Sequence, residues 1–403
     1  MPASSLRCRA CGTAHTADTL GPCTRCFGPL DPVYDWAKRP TRESIAAGPP
    51  SIWRYADLLP VTAPPEPRLA PGLTPLVAAP RLAEQLGVGE LWLKLDTANP
   101  THSFKDRVVA VACRKAQELG FTTLACSSTG NLANAVAARA AAEGLEAAVF
   151  CPADLEPEKL LATGVYGATI YAVHGTYDDC SRLSVELSWE LPWGFVNVNL
   201  RSFYAEGSKT LAFEVAEQLG WQQPDAVICP IASGALFSKV HQGFAELRSL
   251  GLVDGPAPRL YGGQAEGCSP VAAAFLEERQ VTPLRPDTVA RSLAIGNPAD
   301  GNEAVSAARE SGGAIHVTLE QEIGANMLLL AETAGVFGET AAGVTLGALR
   351  EAVRLGEIGS GDRIVLLVTG DGLKTPGPVA ESLRPIHIDA DADAVLERLG
   401  IAA

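Results

Sequence analysis

No apolar run in this 403-residue chain reaches the ~20 residues that span a bilayer. The opening residues, MPASSLRCRACG, lack the apolar stretch of a signal peptide, so the expected compartment is the cytoplasm. Positive charge is also in deficit. Lys and Arg number 32 against 46 Asp and Glu, a net charge of −14. That balance disfavours nonspecific binding to nucleic acid or to anionic membranes, while leaving room for a local basic pocket that holds a small anion. No G-x-G-x-x-G with a downstream acid is present, which ranks a nicotinamide dehydrogenase last among α/β readings. There is no repeat of fixed period and no long low-complexity tract.

What is there is a core-forming composition, 47% hydrophobic, in a chain long enough for two or three domains and an interior cleft. The ten cysteines fall into two groups. Cys113, Cys126, Cys151, Cys180, Cys229 and Cys268 lie singly in apolar stretches and read as small hydrophobes. Cys8, Cys11, Cys23 and Cys26 form C-x2-C-x11-C-x2-C, whose two turns can present four thiolates to one tetrahedral zinc ion. Disulfides or an unused vestige are the alternatives. Four thiolates leave no open position, so the metal would be structural, with His15 inside the loop but outside the shell. This module is expected over 1–36.

A Pro-rich segment, PPSIWRYADLLPVTAPPEPRLAPGLTPL, reads as an arm wrapped on a larger body. From residue 90 strand-like runs alternate with helical patterns, the signature of a doubly wound α/β fold with mostly parallel strands. Two lobes fit the count: a larger one from 37–106 and 208–403, and a smaller one from 107–207. Such folds bind ligands at the carboxyl ends of their strands, and three loops there are distinctive. CSSTGN brings Ser128, Thr129, Gly130 and Asn131 to a helix start, where they either hold a carboxylate or phosphate on free N–H groups or serve as plain caps. PIASGAL places Ser233 and Gly234 between a strand and a helix, as a phosphate loop or as structure alone. VTGDGLK places Thr369 at a strand end beside two glycines that permit close approach to a flat ligand, or that simply turn the chain. Lys105, in NPTHSFKDR, is flanked by Phe104 and by two valines after Arg107. Partial burial would make its amine a nucleophile toward an aldehyde.

Taken in order, NPTHSFKDR, SSTGN, EGSKT at 206–210 and VTGDGLK resemble the motifs of threonine synthases, in the pyridoxal-phosphate fold family that includes the tryptophan synthase β subunit. IWRYADLLPV, GLTPL and the cysteine module are similar to the N-terminal part of some members. The resemblance implies two lobes with the cofactor in the cleft between them. Lys105 would form the Schiff base, and Asn131 would bond the cofactor's phenolic oxygen. Ala232, Ser233, Gly234, Ala235 and Leu236 would cradle its phosphate, and Thr369 would face the pyridine nitrogen. A hydroxyl there, in place of a carboxylate, moderates the electron sink and steers chemistry toward elimination and replacement.

The implied reaction converts O-phospho-L-homoserine and water to threonine and phosphate. Lys105 would move protons at Cα and Cβ, and Ser128, Thr129 and Asn131 would bind the α-carboxylate side. Arg201 and Lys209 are the candidates for the leaving phosphate, which needs positive charge or many donors. A homodimer is expected from the family. The chain departs from the family pattern at two of these motifs: His102 stands where glycine is common, and ASGAL is poorer in Gly and Asn than the usual loop. Related readings are a cysteate-synthase-like replacement, a threonine-dehydratase-like elimination, and a non-catalytic binding protein. The joint presence of Lys105, Asn131 and Thr369 argues against the last.

Overall fold

The computed structural model describes residues 3–36, 39–128, 130–155, 157–382, 384–388 and 390–400. At the N-terminus β1 (Ala3–Cys8) pairs antiparallel with β2 (Ala14–Thr16) and with β3 (Leu30–Tyr34), giving a three-stranded sheet that carries the four cysteines. After the arm come β4 (Leu76–Ala78) and β5 (Glu90–Leu95). The next four strands, β6 (Thr123–Ser127), β7 (Glu146–Pro152), β8 (Thr169–Val173) and β9 (Gly194–Phe195), form a wholly parallel sheet in the order β8-β7-β6-β9. The last four, β10 (Ala226–Pro230), β11 (Arg259–Ala265), β12 (Ala314–Thr318) and β13 (Arg363–Val368), join β5 and β4 in a six-stranded sheet ordered β12-β11-β10-β13-β5-β4. Only the β4–β5 pair is antiparallel in that sheet.

Strand composition accounts for this arrangement. β10 (AVICP) and β6 (TLACS) are buried throughout, as strands covered by helices on both faces must be, and read as continuous apolar runs. Each is followed by a helix that returns over the sheet: Lys105–Glu118 after β5, Asn131–Glu143 after β6 and Ala235–Ser249 after β10. The solitary cysteines Cys113, Cys126 and Cys229 are buried in these layers, and burial pushes their thiols well above the ordinary range, which keeps them unreactive.

The order β10-β13-β5 decides where the chemistry sits. These strands are neighbours and parallel, so the loops that leave their carboxyl ends, 231–234, 369–374 and 96–104, emerge side by side. Charge locks the lysine loop underneath. Arg107 is fully buried and donates to Asp96 at 2.7 and 2.8 Å and to both oxygens of Glu214; Lys94 reaches Glu214 at 2.6 Å. Glu214 also accepts the backbone N–H groups of Leu73 and Thr74, at 2.7 and 3.2 Å, which fastens the arm to the large lobe.

Candidate active site

Lys105, Asp106 and Arg107 open one helix, and successive residues on a helix point about 100° apart. Their side chains therefore divide three tasks. Arg107 enters the buried cluster. Asp106 accepts from the N–H and hydroxyl of Thr101 at 2.8 and 2.9 Å, which folds the preceding loop back on the helix. Lys105 is left facing the cleft, half-buried, with its amine 4.5 Å from the centre of the Phe104 ring and donating to the Tyr204 hydroxyl at 3.0 Å.

Thr369 is buried at the end of β13, and its carbonyl accepts from Phe104 N–H at 2.9 Å, so it lies directly beside the lysine turn. Ser103 and Gly370 pair across the same junction. Gly370 has no room for a side chain, because a Cβ there would strike the carboxylate of Glu339. Asn131, on the small lobe, crosses the cleft: its amide donates to Glu339 at 2.9 Å and its oxygen accepts from Lys374 at 2.7 Å. Lys374 also donates to the Thr101 carbonyl at 2.5 Å. Burial raises the Glu339 carboxyl above its usual range despite Asn131, Lys374 and Lys105 nearby, and burial lowers the Lys374 amine.

The 232–236 loop leads into the Ala235–Ser249 helix with Gly234 at its N-cap, where φ is 91° and a Cβ would collide with the Asp300 carbonyl. The first N–H groups of a helix lack carbonyl partners and lie at its positive end, which suits a phosphate. Gly234 and Leu236 are buried; Ala232, Ser233 and Ala235 are half-buried. Ser103 Oγ, buried two residues before Lys105, has no hydrogen-bond partner among the described residues and is the kind of orphan that a bound polar group satisfies. A flat aldehyde with a phosphate tail therefore fits the donors present: an amine, a hydroxyl at the strand end, and a helix start within one cleft.

The remaining expected residues divide. Ser128 is buried, and its hydroxyl accepts from the N–H groups of Gly130 and Ala133, both at 3.3 Å, so it braces the turn at Asn131. Thr129 lies outside the described residues. Arg201 reaches the side of the 232–236 loop, where it pairs with Asp300, whose N–H donates to the Ser233 carbonyl at 2.8 Å. Lys209 must be reassigned. It is fully buried, with its amine held by Glu206 at 2.6 Å, Glu246 at 2.9 Å and the Tyr34 hydroxyl at 3.1 Å, and those carboxylates leave it nothing to offer a leaving phosphate. His102 is exposed and adopts φ 60°, with Nδ1 3.1 Å from the Thr97 carbonyl. The left-handed backbone explains why glycine suits this position.

Sequence reasoning missed Tyr204, Glu339 and Lys374. Lys374 lies inside the VTGDGLK motif already singled out, whereas Tyr204 and Glu339 carry no local signal.

The four cysteines form no disulfides. All four sulfurs lie within 4.8 Å of one another, with Cys8–Cys26 at 3.4 Å and Cys11–Cys23 at 3.7 Å. Four thiolates at ~2.3 Å from one ion have tetrahedral edges of about 3.8 Å, so the cluster has the size of a metal shell. His15 Nε2 stands 3.3 Å from Cys23 Sγ.

Residues 68–370 match the family described as pyridoxal-phosphate dependent enzyme. The threonine synthase of Methanosarcina acetivorans is 36% identical over 98% of this chain and 98% of that protein. The threonine synthase of Methanocaldococcus jannaschii is 34% identical, again over 98% of each. That of Halalkalibacterium halodurans is 35% identical over 87% of this chain and 98% of its own length. Among solved structures, the diaminopropionate ammonia lyase of Escherichia coli superposes with a TM-score of 0.64 at 18% identity, covering 76% of this chain and 86% of that one, a likeness of fold. The lysine, the strand-end threonine and the helix-start loop thus stand in one cleft of a chain that belongs to the pyridoxal-phosphate dependent enzyme family, among its threonine synthases.

Proposed function

We propose that this protein is a threonine synthase, a pyridoxal-phosphate dependent lyase that converts O-phospho-L-homoserine and water to L-threonine and phosphate. The observation that carries the reading is the meeting of Lys105, Thr369 and the 232–236 loop at the ends of three adjacent parallel strands. It is supported by likeness to threonine synthases over nearly the whole chain.

When bound, the cofactor supplies an electrophilic carbon for amines and an electron sink for charge developing beside it. The chain's residues do the rest. The amine of Lys105 would hold the cofactor and, free of it while substrate is bound, would take protons from Cα and Cβ and return protons to Cγ and Cα, phosphate leaving from Cγ and water adding at Cβ. Tyr204 keeps that amine oriented through its 3.0 Å hydrogen bond. Thr369 would offer the pyridine nitrogen a hydroxyl in place of a charge, and the helix start at Ala235 would hold the cofactor phosphate. Asn131, set by Glu339 and Lys374, would bond the cofactor's phenolic oxygen. Ser128 shapes the loop that receives the α-carboxylate. Arg201 is the cation that meets the leaving phosphate; Lys209 drops out of that role because its charge is spent on Glu206 and Glu246.

The four-cysteine cluster is read as a structural zinc site holding the N-terminal sheet, and the protein as a cytoplasmic homodimer. Metal content by atomic emission and sedimentation of the purified protein check these two readings.

Function is tested by incubating the holoprotein with O-phospho-L-homoserine and quantifying threonine and phosphate together. Equal yields that vanish in Lys105→Ala are the expected result. Phosphate with a keto acid would instead make the protein an elimination enzyme of threonine-dehydratase type, and neither product would remove this substrate.

A further inference from the structure

Arg9 stands between Cys8 and Cys11 on the first C-x2-C turn, far in sequence from the cleft. Its guanidinium nevertheless engages three carboxylates. Nε and Nη2 grip Asp31 of the same sheet at 2.8 Å each, and Nη1 reaches Asp300 at 3.1 Å and Glu303 at 3.0 Å. Asp300 is the informative partner, because its side chain is 7% exposed and every part of the residue is in use. One carboxylate oxygen takes Arg9 and the other takes Arg201. The backbone N–H donates to Ser233, and the backbone carbonyl presses against Gly234.

A second link runs in parallel. Asp31 accepts from Lys239 at 3.2 Å, on the helix that begins at the 232–236 loop, and Lys239 reaches Glu206 at 2.5 Å. Tyr34, also in the N-terminal sheet, donates to Glu206, two residues beyond the Tyr204 that holds Lys105.

We propose that the cysteine sheet is a positioning element for the cofactor's phosphate loop, acting through Arg9 on Asp300, and that Asp300 is a positioning residue that sets both the Ser233–Gly234 turn and the direction of Arg201. The physical reason is charge as well as shape. An aspartate beside a loop built for a phosphate repels the ligand unless its charge is offset. Arg9 and Arg201 offset it together. Without Arg9 the local balance shifts by one unit toward negative, and Arg201 is drawn wholly onto Asp300. This inference rests on the assignment of 232–236 as the phosphate loop, and is independent of which amino acid the enzyme consumes.

The test therefore reads the cofactor. The dissociation constant of pyridoxal phosphate is measured by absorbance titration for wild type, Arg9→Met, Asp300→Asn and the double variant. Arg363→Met serves as control, since it removes the ion pair to Glu90 at 2.7 Å on another face. Arg9→Met is expected to weaken cofactor binding about tenfold in the wild-type background and less than twofold in the Asp300→Asn background, the signature of a coupled pair. The control is expected to bind normally. Hydrogen exchange of the 233–236 amides in the Arg9→Met holoprotein should quicken over wild type, a second readout that survives if the double variant does not fold. A cofactor constant and exchange rates unchanged in folded Arg9→Met would overturn the proposal. So would an effect of equal size in both backgrounds, or one matched by the control, since each is what a merely stabilising ion pair would give. Loss of threonine formation on phosphohomoserine alone, with these constants as expected, would count against the substrate and not against this coupling.

Discussion

Glu214 and Glu339 are both buried in the large lobe, at 0% and 3% exposure, yet they are shifted in opposite directions. Burial works to raise each. For Glu214 the adjacent Arg107 and Lys94 charges outweigh it and hold the carboxyl down to about 2. Glu339 receives one amide donor from Asn131, with Lys374 and Lys105 acting on it only through space, so burial wins and its carboxyl lies above the ordinary range. The difference separates two uses of buried charge. Around Glu214 every donor and acceptor is matched, which makes a scaffold. Around Glu339 the matching is incomplete, and incomplete matching is what a site keeps for a ligand.

The largest expected effect lies on the open side. Lys105→Ala should cost about a thousandfold or more in turnover while leaving the denaturant midpoint nearly unchanged, because among the described residues its amine makes one hydrogen bond, to Tyr204. A comparable loss of stability would erase the contrast. Next comes the closed side. Arg107→Met strips Asp96 and Glu214 of their bidentate partner and should destabilise the fold by about 3–5 kcal/mol, read by urea unfolding of the holoprotein.

The pH dependence follows in size. The folded carboxyl of Glu214 is held below its ordinary 4.5, so its contribution to stability is complete above that value and is lost as pH falls toward about 2. Glu339 has the reverse sign: protonation favours its folded form, and that benefit fades as pH rises through its raised value. Glu339→Gln should accordingly unfold no earlier than wild type near neutral pH while still lowering turnover, and a stability loss like that of Arg107→Met would break the comparison. The smallest effect is at His102. Replacing it with glycine relieves the left-handed backbone but frees the unfolded chain, so stability should move by less than about 1 kcal/mol, measured by calorimetry.

How much of this could be read from residues alone follows the same division. Lys105, Asn131, Thr369 and the 232–236 loop each sit just past a strand-like run, where periodicity and turn residues mark them in place. Tyr204 and Glu339 enter the cleft from elements far away in sequence, Tyr204 lying 99 residues from the amine it holds. No local pattern encodes such meetings. Lys209 misled because a lysine's partner is not written beside its name, though Glu206 three residues earlier was a usable hint of a helical ion pair. The arm's attachment was invisible for a further reason: Glu214 holds it through backbone N–H groups, which every residue but proline possesses.

The contact between Arg9 and Asp300 spans 291 residues. At ~5–20 residues per second on the ribosome, Arg9 emerges about 15–60 seconds before its partner exists. The cysteine sheet can close early, since its four cysteines lie within nineteen positions of one another, yet its docking face must wait through the synthesis of the entire small lobe. Arg9 is thus among the first residues made, and Asp300 and Glu303 follow it only after most of the chain.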